Sequence, residues 1–143
     1  MIKTLAAAAL IAASTAGAVV AQDWSLSPNF GGTSLNPGFL PDPYNVSIVA
    51  GGSVSAGNVG CSGMISNAPD YRLQWGGGRI RIGASSGSDT TLVINAPDGS
   101  WYCSDDVNGF DPELVLSGSG QYDIWVGTYG GGVADATLYF SEF

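Results

Sequence analysis

Between Ser88 and Pro112 the chain gathers Asp89, Asp98, Asp105, Asp106 and Asp111, five of its 12 acidic residues, with no Lys or Arg among them. Carboxylates crowded into a short stretch repel one another and resist ionisation unless a cation sits among them. A hard divalent ion meets that need. Ca²⁺ takes about six to eight oxygens from carboxylates, Asn side chains, loop carbonyls and water. Asp105, Asp106, Asn108 and Asp111 share one Gly-containing loop that can wrap an ion. The expected ligand set is Asp89, Asp98, Asp105, Asp106, Asn108 and Asp111, with Ca²⁺ as the cofactor. The run Asp106-Val107-Asn108-Gly109 resembles the opening of an EF-hand loop, but the ligand order and the closing Glu are missing. Two other readings stand beside this one. The loop can be solvated, with Asp and Asn acting only as turn residues, or two of the carboxylates can form a hydrolytic pair.

Aromatic side chains offer a second chemistry. Trp125, Tyr129 and Tyr139 fall on strand faces opposite Ile124, Val126 and Leu138. An exposed aromatic strip stacks on sugar rings or anchors a protein partner. The alternative is that these rings fill a covered sheet face, under the N-terminal arm. Arg72, Arg79 and Arg81, on two neighbouring strand patterns, are expected to pair with Asp across strands; an anion-binding patch is the other outcome.

Much chemistry is excluded. The chain has no His, which removes Ser-His-Asp and Cys-His catalysis, His-ligated zinc and an imidazole switch. Its formal charge of −8 makes nucleic acid an unsuitable partner. Gly76-Gly77-Gly78-Arg79 and Gly130-Gly131-Gly132 lack the Lys-Ser/Thr ending of a phosphate loop. The reading is therefore a non-enzyme.

These residues need elements to hold them. Met1-Ile2-Lys3 followed by an uncharged run to Val20 and the sequence Val19-Val20-Ala21 reads as a signal peptide, residues 1–21, cleaved after Ala21. Small residues fill the run, so a spanning anchor is the weaker reading, and no stable membrane insertion is expected once the leader is gone. The location is periplasmic or secreted. In such a compartment Cys61 and Cys103 read as a disulfide. Residues 22–43, dense in Pro and Gly, read as an irregular arm that Trp24, Phe30 and Phe39 pin to the body.

Residues 44–143 form one domain of short strands. Charged residues are 11% of the chain against an ordinary value of roughly 25%, and Gly numbers 22, both marks of a turn-rich β protein. Strand patterns fall at 44–50, 61–66, 71–75, 79–84, 90–96, 100–103, 113–116, 121–129 and 134–140, separated by Gly, Asn and Pro-Asp-Gly turns. Alternation of Tyr71, Leu73 and Trp75 with Arg72 and Gln74, and of Tyr122, Ile124 and Val126 with Asp123 and Trp125, implies one wet face. The fold class is all-β, an antiparallel β-sandwich or jelly roll. A membrane β-barrel is disfavoured by strands this short.

The run from Ser88 through Pro97-Asp98-Gly99 and Asp105-Asp106 to Gly120-Gln121-Tyr122-Asp123-Ile124-Trp125-Val126 resembles the bacterial pre-peptidase C-terminal (PPC) type of β-sandwich. The shared order is an Asp before an apolar strand, a Pro-Asp-Gly turn, an acidic loop, a Gly-x-Tyr-x-Ile-x-Val strand and a terminal strand. The chain is also similar to small exported alphaproteobacterial proteins, some carrying a peptidase S1 label; without a His that label has no triad to rest on. The resemblance spans about Ser47 to Glu142 and implies an accessory module, calcium- or polymer-binding in some members. The general pattern lacks the cysteine pair. The expectation is an exported, non-catalytic binding or structural module stabilised by calcium, with a protein or polysaccharide partner; the alternative is a carbohydrate- or protein-binding module working through Trp125, Tyr129 and Tyr139.

Overall fold

The computed structural model describes residues 23–107 and 109–143. The leader reading and the Asn108 ligand lie outside these residues. The described strands are β1 (Gly32–Leu35), β2 (Tyr44–Gly51), β3 (Val54–Ser55), β4 (Met64–Ile65), β5 (Tyr71–Trp75), β6 (Arg79–Ser86), β7 (Thr90–Asn95), β8 (Trp101–Ser104), β9 (Glu113–Ser117), β10 (Gly120–Thr128) and β11 (Val133–Ser141). One sheet runs β9-β6-β11-β2. In the other, β10 is central: β5 and then β1 lie along one edge, continued by β4 and β3, and β7 and then β8 lie along the opposite edge. Every described pairing is antiparallel except β1 with β5.

The two sheets enclose the main core. Ile80, Ile82, Leu138 and Phe140 of one meet Leu73, Ile94, Tyr122 and Ile124 of the other. The sequence expectation of an antiparallel sandwich holds. Period-two alternation is clean in β5, whose odd-numbered residues are buried while Arg72 and Gln74 are not.

The second sheet is covered on its outer face as well. A smaller cluster unites Trp125 and Val93, both on that face, with Ala56 and Ile65 of the segment that folds back across it. A short 3₁₀ turn, Ala56–Val59, sits at the centre of this cover, capped by the Ser55 side chain accepting from the Gly57 N–H. Cys61 and Cys103 are disulfide-bonded, with Cα atoms 5.7 Å apart, which ties the cover to β8. The predicted bridge is present. Close approach needs glycine: a Cβ on Gly127 would lie 2.8 Å from the Met64 carbonyl oxygen and 2.9 Å from Ile65 Cγ2.

Two expectations change. Residues 22–43 are not irregular throughout, because Gly32–Leu35 joins β5 as a parallel strand. Phe39 does pin the arm, edge-on to Trp75 with ring centroids 5.9 Å apart, but Trp24 and Phe30 are exposed. The three arginines do not share a patch, since β5 and β6 belong to different sheets. Arg72 pairs with Asp123 at 2.5 Å across β5 and β10 and also donates to the carbonyls of Trp24 and Leu26, clipping the arm in place. Arg81 faces Glu113 at 3.6 Å and Arg79 donates to the Glu142 carbonyl.

Candidate metal centre

The β7–β8 hairpin sets the position of every acid in the cluster. Leu92 pairs with Ser104 and Asn95 with Trp101, so the residue before β7 and the residues after β8 emerge at one end of the ladder. Asp89, Asp105 and Asp106 meet there, each offering a carboxylate oxygen within 4.8 Å of the others. Two oxygens that each lie about 2.3–2.6 Å from one Ca²⁺ can be no more than about 5 Å apart, so this spacing leaves room for the three to share an ion.

The environment is electrostatically tense. Asp89 Oδ1 and Asp105 Oδ1 are shut off from solvent and meet no hydrogen-bond donor among the described residues. Burial raises the pKa of both, and the Asp106 carboxylate raises each further. Asp89 also raises that of Asp105. No arginine relieves the cluster, because Arg72, Arg79 and Arg81 are engaged elsewhere. A donor set of carboxylate oxygens alone suits a hard cation. Both cysteines are locked in the disulfide and the chain has no His, so a zinc-type N/S set is absent among the described residues.

The remaining predicted ligands go elsewhere. Asp98 lies in the turn at the other end of the hairpin, where it accepts from the Ser100 N–H at 2.9 Å and the Tyr102 hydroxyl at 3.3 Å. Six residues of β7 separate it from Asp89, roughly 20 Å of extended chain. Asp98 is thus a turn residue and leaves the ligand set. The Asp111 carboxylate accepts from the Ser86 N–H, and its carbonyl accepts from the Val107 N–H, closing the base of the acidic loop. Its role is to shape the loop from below.

The aromatic strip is not there either. Trp125 is fully buried between Val93, Ala56 and Ile65, with Trp101 5.3 Å away. Its indole donates to the Asn67 carbonyl. The face that alternation marked as wet is dry at Trp125, because residues 54–65 cover it there. Tyr139 is half-buried and donates to Glu113 at 2.7 Å; burial and that carboxylate raise its pKa. Only Tyr129 of the three is exposed.

One carboxyl escaped sequence reasoning. Asp70 is 1% exposed and fills the gap in the β10 edge between β5 and β4. Its N–H donates to the Ile124 carbonyl and its Oδ2 accepts from the Val126 N–H at 2.7 Å, as a missing strand residue would. Burial lifts its pKa from 3.8 to about 7, against the lowering effect of Val126, Asn29 and Ser66.

Fold and site together define a disulfide-clamped β-sandwich with a carboxylate cluster at one hairpin end. No family model and no curated protein matches the sequence. Among solved structures the chain is similar to the pre-peptidase C-terminal domain of collagenase from Bacillus anthracis, at 16% identity and a TM-score of 0.43, over 77% of this chain and 94% of that one. Among the described residues no helix is long and apolar enough to cross a membrane.

Proposed function

We propose that the protein is an exported, non-catalytic β-sandwich module whose acidic hairpin end is held together by one bound Ca²⁺. The observation that carries this is the trio of Asp89, Asp105 and Asp106, whose oxygens lie within 4.8 Å of one another while two of the buried ones lack a donor among the described residues. The ion's charge offsets the repulsion that otherwise opposes folding at this end of β7 and β8. Asp89, Asp105 and Asp106 supply carboxylate ligands, and backbone carbonyls and water complete the sphere. Export is supported by the leader pattern of residues 1–21 and by the disulfide, which belongs to an oxidising compartment. The module presents its surfaces to a polymer or protein partner outside the cytoplasm.

Ligand binding to the folded state stabilises by mass action, about 2.7 kcal/mol at a hundredfold excess over Kd. For a domain of this size that corresponds to about 10 °C in Tm. Thermal melts with millimolar Ca²⁺ and with chelator therefore separate by that much for the native chain and coincide for Asp105→Asn. Coincident melts for the native chain refute the proposal.

A further inference from the structure

The outer face of the second sheet is only partly covered, and what it leaves open is a groove of about 470 Å³. Its floor follows from strand register. Asp123, Asn95 and Trp101, which line it, stand in one cross-strand row over β10, β7 and β8, and Arg72 of β5 extends that row beyond it. Gln74 and Gln121 form the next row, joined side chain to side chain at 3.0 Å. Gln121 also donates to Asp123 at 2.9 Å, so the polar floor is a linked array of amides and a carboxylate.

Two indoles border it. Trp101 is held from below by Trp125. Trp24 is 52% exposed, yet its backbone is fixed by Arg72 Nη2 donating to its carbonyl at 2.6 Å. Trp24 and Trp101 together give the groove two indoles.

We propose that this groove, between Trp24 and Trp101, binds a neutral oligosaccharide. A pyranose ring has an apolar C–H face that packs on an indole and a rim of hydroxyls that both donate and accept. Gln121 serves that rim: beyond its bonds to Gln74 and Asp123 its side-chain amide keeps one N–H to donate and one carbonyl lone pair to accept with. The volume lies in the range of about 300–1,000 Å³ found for small-ligand clefts. Neutrality follows from charge. Arg72 and Asp123 neutralise each other at the groove's edge, and no other charged side chain lines it among the described residues. An anionic sugar finds no free cation there, and a polar floor gives an apolar peptide little to bury. The proposal does not rest on the cation centre, which lies at the far end of the β7–β8 hairpin.

The test uses the protein's own indoles. Of its four Trp residues, Trp24 and Trp101 line the groove, while Trp75 donates to the Gly78 carbonyl inside the sandwich. Indole N–H resonances are followed while cellohexaose, xylohexaose, mannohexaose and maltohexaose are added separately to about 10 mM, enough to reveal millimolar binding. At least one sugar is expected to move Trp24 and Trp101 and leave Trp75 in place. Trp24→Ala, on the exposed arm, is expected to weaken that binding about tenfold, and Gln121→Ala to weaken it as well. No response of Trp24 and Trp101 to any of the four sugars overturns the proposal, as does a response that survives both substitutions unchanged. A response of these indoles to a proline decapeptide and to none of the sugars assigns the groove to polypeptide and also overturns it.

Discussion

Replacing Asp70 with Asn tests the reading of the sheet interior. The folded chain holds this carboxyl with a pKa of about 7, against 3.8 for an unhindered one, because burial disfavours the charge. Below pH 3.8 folded and unfolded chains both keep the proton, and Asp70 adds no pH dependence. Between 3.8 and about 7 the unfolded chain has released the proton while the folded chain retains it, so stability falls as pH rises. Above about 7 both are ionised and the slope ends. At about 1.4 kcal/mol for each pKa unit, the loss across the window is about 4 kcal/mol. Asn cannot ionise, and its carbonyl oxygen can still accept from the Val126 N–H. Urea unfolding of the native chain and Asp70→Asn, in chelator at pH values from about 3.5 to 8, gives the difference in stability between them. Contributions of the other carboxylates are common to both proteins and cancel from that difference. The difference is expected to move by about 4 kcal/mol in favour of Asn as pH rises. A difference that stays flat across the window shows that Asp70 ionises freely, and refutes the burial argument.

Three further outcomes follow from the same contacts. Cys61→Ser with Cys103→Ser opens a 42-residue span and is expected to lower stability by about 4 kcal/mol in urea unfolding, with earlier exposure of Trp125 in its fluorescence. Trp125→Ala removes the largest fully buried side chain and is expected to cost about 3–5 kcal/mol; a loss below 1 kcal/mol contradicts its place under the 54–65 cover. Arg72→Ala leaves Asp123, 2% exposed, without its cation and frees the arm, so a loss of about 2 kcal/mol is expected together with faster proteolysis within residues 23–31. Arg72→Lys is not expected to restore the arm, since one ammonium cannot reproduce the guanidinium fork.

The strands from 44 onward could be read from the chain because turn chemistry and alternation both act locally. Tyr71–Trp75 is placed to the residue, and the other long strands fall within about two residues of expectation. What could not be read depends on distant partners. Gly32–Leu35 has no alternation of its own and becomes a strand because the edge of β5 accepts it. Alternation in β10 suggested one wet face, but Trp125 on that face is buried because residues 54–65 return across it, while Tyr122, Ile124 and Val126 fill the main core. The acidic stretch was visible as composition, yet its division into a trio and a separate turn is a matter of hairpin length. Asp98 and Asp89 look alike in sequence and sit at opposite ends of β7. Nothing in Pro69-Asp70 marks a buried carboxyl. Its surroundings come from β10, more than fifty residues later.

The most direct measurement is a calorimetric titration of Ca²⁺ into metal-stripped protein at neutral pH, repeated with Asp105→Asn. A single saturable site in the native chain, lost in the variant and weakened as acid protonates Asp89 and Asp105, is the result this account requires. Heats indistinguishable from dilution in the native chain would leave the three carboxylates without their ion and contradict it.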